Sequence, residues 1–269
     1  MKKFILHLFF PFLKLKNNQP LSKRFFIYID IIITAYIYIA LIIYFSSFLF
    51  YPYKIQMNNI TYYSFEDITK NKTFLNTIKN VNQKNINNAL YDKELKIEVY
   101  FINNEAIYKF HNPLEILPNK NTYTITLGSK IIFKMVDFEK SLVYSNQNKK
   151  FPYELERALL HEVTHSLQFK KYGFYKFYTN IPYWVSEGYP IYSSGKSSIY
   201  NENEFLSDLS KKDFDTLTTY QKDFFFSKIV EFAIEDMNIS VDDLHKNNID
   251  FSTLKNKFLD KSLSLKVNK

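Results

Sequence analysis

Residues 152–173, PYELERALLHEVTHSLQFKKYG, decide the fold of this chain. Their apolar residues recur at the spacing of a helix and predict one long helix with a buried face. That face comprises Leu155, Leu159, Leu160, Val163 and Leu167. Pro152 suits the first turn of a helix and Gly173 suits its C-terminal end, so we expect the helix to fill the whole stretch.

The histidines of this helix have the spacing of a metal site. His161 and His165 are four residues apart, which places them on one face of a helix. Neutral imidazoles on one face can bind the same zinc ion. Glu162 lies beside the first histidine, where it can take a proton from a water molecule that the metal activates. The chain has no cysteine, so a thiolate zinc site and a disulfide framework are both excluded.

A second motif, WVSEG at residues 184–188, supplies a further ligand. It follows the first motif at a distance that allows the helix to end, the chain to turn at Gly173, and a second segment to return. Trp184 is expected to anchor this segment in the core and to fix the direction of the Glu187 carboxylate. We therefore predict that His161, His165 and Glu187 bind one Zn²⁺ ion and that Glu162 is the catalytic base.

The two motifs, HEVTHSLQ at residues 161–168 and PYWVSEG at residues 182–188, resemble those of the gluzincin metallopeptidases of the MA clan. They are most similar to the group whose second motif runs Trp-x-x-Glu-Gly. In that group the two histidines and the later glutamate bind zinc, and the first glutamate is the base. The resemblance implies an α+β, zincin-like fold, with a small mixed sheet before the motif helix and helices after it.

Two details of the site stay open at the level of sequence. The chain departs from the family pattern at Pro190, because a proline inside a helix removes a hydrogen bond and clashes with the residue four positions earlier. We therefore expect Glu187 to lie on a kinked or short helical turn. The donor that stabilises the oxyanion is one of Tyr189, Tyr192, Tyr200, Tyr220 and His245, of which we favour Tyr220.

The N-terminal region predicts a membrane anchor. Residues 31–50 carry no formal charge, and about twenty helical residues span a bilayer core of roughly 30 Å. Residues 1–24 contain six basic residues and no acidic one, which keeps this end in the cytoplasm. A cleaved signal peptide is disfavoured, because the apolar run is longer than a typical signal and no cleavage site follows it. The predicted organisation is a cytoplasmic basic tail (1–24), a transmembrane signal-anchor helix (25–50), a linker (51–70) and an extracytoplasmic zincin-like domain (71–269).

Charge argues against a nucleic-acid partner. The net charge is +8, but the basic tail supplies most of it, and the basic residues are almost all lysine. Phosphate recognition usually relies on arginine, which binds phosphate with two parallel hydrogen bonds. The expected partners are the membrane, through residues 25–50, and a peptide or protein substrate.

Periodicity predicts the remaining elements. Residues 70–83, 224–237 and 250–263 have the pattern of helices, and residues 82–88 have that of a polar loop. Strands are expected at residues 95–101, 106–110, 122–127 and 130–136.

The sequence thus predicts a single-pass, membrane-anchored zinc metallopeptidase that hydrolyses peptide bonds outside the cytoplasm. The alternative is a non-enzymatic zincin-like domain that serves as a surface binding or assembly module. The presence of all three ligands together with the base argues against that alternative. A further alternative keeps the enzyme but turns the domain toward the cytoplasm.

Overall fold

The structure, a computed structural model, describes residues 28–39, 51–104, 122–125, 129–144, 152–195, 214–246 and 249–267. The chain divides into two units, Met1–Pro52 with Asn104–Pro118, and Tyr53–Asn103 with Asn119–Lys269. In the first unit, residues 28–39 are helical. The predicted anchor at residues 25–50 extends at both ends into residues outside the described ranges. Within those ranges, every helix is too short or too polar to cross a membrane.

The second unit contains two small sheets. Their strands are β1 (Tyr53–Met57), β2 (Ile60–Ser64), β3 (Ile97–Ile102), β4 (Thr122–Ile125), β5 (Lys130–Lys134), β6 (Val136–Asp137), β7 (Leu142–Tyr144) and β8 (Pro152–Glu154). The larger sheet has the order β1-β2-β3-β5-β4 and is mixed, since β2, β3 and β5 are parallel and both edge strands are antiparallel to their neighbours. The smaller sheet, β6-β7-β8, is antiparallel.

The helices of this unit lie mainly after the sheets in sequence. They are α1 (Lys72–Ile86), α2 (Leu155–Tyr172), α3 (Phe174–Thr179), α4 (Tyr183–Ser193), α5 (Thr219–Glu231), α6 (Val241–His245) and α7 (Phe251–Val267). A short 3₁₀ helix, Phe214–Thr216, precedes α5, and a π-helical turn, Phe232–Asp236, follows it. The predicted α+β composition, with a small mixed sheet and several helices, is therefore confirmed.

The predicted linker at residues 51–70 is wrong. This segment contains β1 and β2, which form an antiparallel hairpin at one edge of the larger sheet. The hairpin turns at Asn58, whose φ of 50° lies in the left-handed region that asparagine tolerates. Ile60 and Tyr62 are fully buried, so the segment belongs to the core.

Two element boundaries also differ from the predictions. The motif helix begins at Leu155, because Pro152–Glu154 pairs with β7 at the edge of the smaller sheet, where a proline costs no ladder hydrogen bond. Helix α1 continues through most of the predicted loop at residues 82–88. Its polar side chains face inward there, and the Asn82 amide donates to the hydroxyl of Tyr62 at 3.1 Å and to the carbonyl of Ile78 at 2.8 Å.

The other strand and helix predictions are borne out in part. Strands β3 and β4 and helix α7 lie at the predicted places, while α5 begins five residues earlier than expected, at Thr219. The predicted strand at residues 130–136 is broken at Met135, which has a φ of 55°. The predicted strand at residues 106–110 lies outside the described residues.

The core holds the motif helix in place. The five apolar residues predicted to form its buried face are all buried: Leu155, Leu159, Leu160, Val163 and Leu167. They join one apolar cluster with the larger sheet, to which β3 contributes Val99 and Phe101. Helix α2 also packs against α1 and α4. Burying this face on one side leaves the opposite side of α2 to carry polar chemistry.

Candidate metal centre

Two histidines of α2 meet at their ring nitrogens. The Nε2 atoms of His161 and His165 are 3.0 Å apart, and the rings are nearly perpendicular. The spacing of four residues places them one turn apart on the same side of the helix. Gly173 ends this helix as predicted, with a φ of 79°.

Helix α4 brings the carboxylate to the same point. Oε2 of Glu187 lies 3.6 Å from Nε2 of His161 and 3.6 Å from Nε2 of His165. Trp184 is buried as predicted and packs against the ring of Phe251, with centroids 5.5 Å apart. These contacts hold the start of α4, from which Glu187 reaches the histidines.

Pro190 does not shorten the helix that carries Glu187. The sequence predicted a kinked or short helical turn at Glu187. The short turn is wrong, because helix α4 has eleven residues and Glu187 lies near its middle. The proline lacks the N–H that would bond to the carbonyl of Ser186. The helical pattern continues beyond it, since the backbone N–H of Ser194 donates to the carbonyl of Pro190 at 3.0 Å.

The spacing of the three donor atoms fits one metal ion. Tetrahedral ligands at about 2.0–2.1 Å from a zinc-sized ion are roughly 3.3 Å from one another. The observed separations of 3.0 and 3.6 Å bracket that value. His161, His165 and Glu187 therefore form a group that could hold a metal ion, as predicted.

Burial and the neighbouring charges act differently on the two imidazoles. Burial lowers the pKa of His161 to about 3, and the positive charges of His165 and Arg157 also act in that direction. Burial acts against a charge on His165 too, but the carboxylate of Glu187, 3.6 Å from its Nε2, outweighs burial and raises the pKa of His165. One imidazole is thus held neutral, while the carboxylate attracts positive charge to the point where the three side chains meet.

Glu162, the predicted base, lies next to the first histidine of the group. It follows His161 in α2, its side chain is partly buried, and its charge contributes to the raised pKa of His165. The charge of Glu162 therefore acts on the imidazole of a candidate ligand.

Contacts between side chains tie α4 to the motif helix. The hydroxyls of Thr164 and Ser193 are 2.9 Å apart. Asn88, just after α1, donates to the hydroxyl of Thr164 at 3.2 Å and accepts from the hydroxyl of Tyr189 at 2.9 Å. These bonds lie on the side of α4 away from Glu187 and fix the separation of the two ligand-bearing helices.

On its other side α4 touches the backbone of α5. A Cβ atom added to Gly188 would lie 2.8 Å from both the backbone carbon and the backbone oxygen of Phe226. Only glycine allows this approach, so the residue next to the third ligand is fixed by helix packing.

Most of the predicted oxyanion donors are not brought to the metal centre. His245 is buried, with its Nε2 atom 2.9 Å from the Gln168 amide nitrogen and its Nδ1 atom 2.6 Å from the carbonyl oxygen of Val241, so the prediction is wrong for this residue. Tyr189 donates to Asn88, as described above. Tyr192 donates to Glu235 at 3.2 Å.

Tyr189 and Tyr192 line a separate cavity of about 490 Å³, and none of the three ligand residues is among the described residues that line it. The prediction is therefore wrong for these tyrosines as well. Tyr200 lies outside the described residues, and so does the side chain of the favoured candidate, Tyr220.

Sequence reasoning missed two polar neighbours of the site. Tyr183 lies one helical turn before Glu187, and its hydroxyl donates to Asp223 of α5. Burial raises the pKa of Asp223 to about 6, and the charge of Glu187 adds to this effect. Among the described residues, the Oδ1 atom of Asp223 has no hydrogen-bond partner. The spacing of four residues from Glu187 could have identified Tyr183, whereas no local pattern marks Asp223.

We compared the chain with protein-family models and with curated proteins. No protein-family model matches the chain, and no curated protein matches it. What bears on function is therefore the geometry of the site.

Proposed function

We propose that this chain is a zinc metallopeptidase of the gluzincin type. The observation that carries the proposal is the meeting of His161, His165 and Glu187 at one point, with donor atoms 3.0–3.6 Å apart. Two imidazoles and one carboxylate are the ligands of catalytic rather than structural zinc sites, since three protein ligands leave one position open. The α+β order of sheet, motif helix and later helices is compatible with a zincin-like fold.

In this proposal each residue of the site has a separate role in peptide hydrolysis. Zinc, when bound, supplies Lewis acidity, which polarises the scissile carbonyl and eases the ionisation of water. Glu162 accepts the proton of the attacking water and returns it to the leaving amine. Because the side chain of Glu187 is only 27% exposed and that of His165 only 11%, the ligands are shielded from bulk water on the core side. Tyr183 lies one helical turn before Glu187 in α4, and its exposed ring would contact a bound substrate.

The membrane anchor and the location belong to the same proposal. Residues 25–50 would hold the chain in the cell membrane, with residues 1–24 in the cytoplasm and the catalytic domain outside. Peptides or proteins at the cell surface would then be the substrates. Added protease should digest the region that follows residue 50 on intact cells. Digestion only after lysis would place the domain in the cytoplasm.

The central test measures zinc content and peptide hydrolysis on the purified full-length chain. Glu162→Gln preserves size and removes the base, so zinc should remain at one ion per chain while turnover falls by about 10²-fold or more. Glu187→Ala should lose most of the zinc. Glu156→Gln is the matched control, because this glutamate lies on the same helix but pairs with Lys84 at 2.7 Å.

The outcomes separate the two functional classes. Full activity of the Glu162→Gln protein would refute the mechanism. A wild-type chain that holds zinc yet cleaves no member of a broad peptide library would instead support the non-enzymatic binding or assembly module. Absence of bound zinc in the wild-type chain would refute the metal centre itself.

A further inference from the structure

A buried chain of hydrogen bonds runs from the second ligand histidine into the core. Oε1 of Gln168 lies 3.2 Å from Nδ1 of His165, and Nε2 of Gln168 lies 2.9 Å from Nε2 of His245. Nδ1 of His245 lies 2.6 Å from the carbonyl oxygen of Val241. We propose that Gln168 and His245 are positioning residues that hold His165 in the tautomer offering Nε2 to the metal, an inference that rests on the proposed metal centre.

The donor and acceptor of each hydrogen bond can be assigned by starting from the carbonyl of Val241. The carbonyl of Val241 can only accept, so Nδ1 of His245 carries the hydrogen. Burial lowers the pKa of His245 to about 4, so its ring is neutral near pH 7 and its Nε2 can only accept. The amide nitrogen of Gln168 must donate to it, which turns the amide oxygen toward His165. Nδ1 of His165 then carries the hydrogen, and its Nε2 keeps a free lone pair.

The reverse orientation of the Gln168 amide conflicts with the buried histidine. It would direct the amide oxygen at Nε2 of His245, which would then have to donate from both ring nitrogens and carry a charge. It would also direct the amide nitrogen at Nδ1 of His165, which would move the ring hydrogen to Nε2 and block a metal bond. His245 therefore selects the orientation of Gln168, and Gln168 selects the tautomer of His165.

The surroundings exclude water from Gln168 and His245, which together form a relay of hydrogen bonds to His165. Gln168 has no exposed surface, and His245 is only 3% exposed. The ring of Tyr172 stacks on His245 with centroids 4.6 Å apart, and Tyr189 meets the same ring edge-on at 5.4 Å. Because water cannot substitute for a missing partner there, the orientation of each group depends on the others.

Substitutions at both positions can separate positioning from packing. Gln168→Met keeps the side-chain length and removes both hydrogen bonds, and loss of such a partner typically weakens metal binding about 10–100-fold. At position 245, the amide of asparagine can replace Nδ1 and the amide of glutamine can reach the place of Nε2. We expect His245→Asn to weaken zinc binding about tenfold and His245→Gln to stay within about threefold of wild type.

The measurement uses the full-length chain and two readouts. A chromophoric chelator that competes for zinc gives the dissociation constant, while urea unfolding of each metal-free variant shows that it folds. Nitrogen NMR of the metal-free chain with labelled histidine gives the tautomer of His165 at pH 8, where Nδ1 should carry the hydrogen in wild type and a mixture should appear in Gln168→Met.

Three results would overturn the relay: unchanged zinc affinity in Gln168→Met, equal weakening by the two substitutions at His245, or a wild-type His165 with its hydrogen on Nε2. A wild-type chain that binds no zinc would refute the proposed function instead. In that case the NMR measurement still decides whether the relay sets the tautomer.

Discussion

The contact at Gly188 makes a prediction that runs against the usual effect of its substitution. Replacing glycine by alanine inside a helix normally stabilises a protein by about 0.5–1 kcal/mol. In α4, however, the new Cβ atom would lie 2.8 Å from backbone atoms of Phe226 and 3.1 Å from its Cβ. Rotation of a side chain cannot relieve a contact with backbone, so α4 and α5 must move apart.

The size of the effect follows from that distance. Carbon atoms in ordinary contact are about 3.5–4.0 Å apart, so the helices must separate by roughly 0.7 Å. Overpacking of this kind costs about 1–3 kcal/mol, and the gain in helix propensity offsets part of it. We expect Gly188→Ala to lose about 1–2 kcal/mol of unfolding free energy. Since metal–ligand distances tolerate only about 0.2 Å, displacement of Glu187 should also weaken zinc binding at least about tenfold.

Urea unfolding of the metal-free chain and zinc competition measure these two effects separately. Gly173→Ala is the matched control, because its new Cβ meets no atom within 4 Å but its φ of 79° strains any side chain. The control should lose about 1–2 kcal/mol of stability and keep the zinc affinity of wild type. A Gly188→Ala protein that is as stable as wild type, with unchanged zinc affinity, would show that the approach of α4 to α5 does not position the ligand.

Three further predictions follow from the contacts and charges around the site. Asn88→Ala removes the acceptor of the Tyr189 hydroxyl and one partner of the Thr164 hydroxyl. Urea unfolding should therefore show a loss of about 1–3 kcal/mol, and a loss below about 0.5 kcal/mol would contradict this role of Asn88. Burial lowers the pKa of His245 to about 4, so the unfolded chain binds a proton that the folded chain rejects as the pH falls from 6.5. Wild type should therefore lose up to about 3 kcal/mol between pH 6.5 and 4 relative to His245→Gln, and parallel pH profiles of unfolding would refute the buried neutral ring. Zinc at about 100 times its dissociation constant should add about 2.7 kcal/mol to the unfolding free energy of wild type and nearly nothing to His165→Ala, as read from the urea midpoint.

The metal ligands could be predicted because their geometry is largely local. Two histidines four residues apart share a face of any helix, so the position of His161 relative to His165 needs no knowledge of the rest of the chain. The buried face of α2 follows from the same periodicity. Trp184 indicates the position of Glu187, because the burial of its ring fixes the start of α4. Only Pro190 misled, because a helix can tolerate the loss of a single backbone hydrogen bond late in its length.

The predictions that were wrong concern contacts between residues far apart in the sequence. The hairpin of β1 and β2 carries the alternation of a strand in Tyr53–Met57, in a segment that was predicted to be a linker. Only pairing with β3 makes it part of the sheet. His245 was one of five candidates for the oxyanion donor, whereas its bond to Gln168 joins residues 77 positions apart. No periodicity in a single sequence can indicate such a contact.

Glu187 shows how the fold brings an ordinary glutamate to a group that could hold a metal ion. The side chain of Glu187 is partly buried, and partial burial alone does not select one rotamer for its carboxylate. What limits it is the backbone of α4, which Ser193 joins to Thr164 of the motif helix on one side and Gly188 joins to Phe226 on the other. A helix held at two faces can shift little toward or away from the histidines. The glycine that follows Glu187 is therefore as much a requirement of the site as the carboxylate, because a larger residue would move the ligand while leaving its chemistry intact.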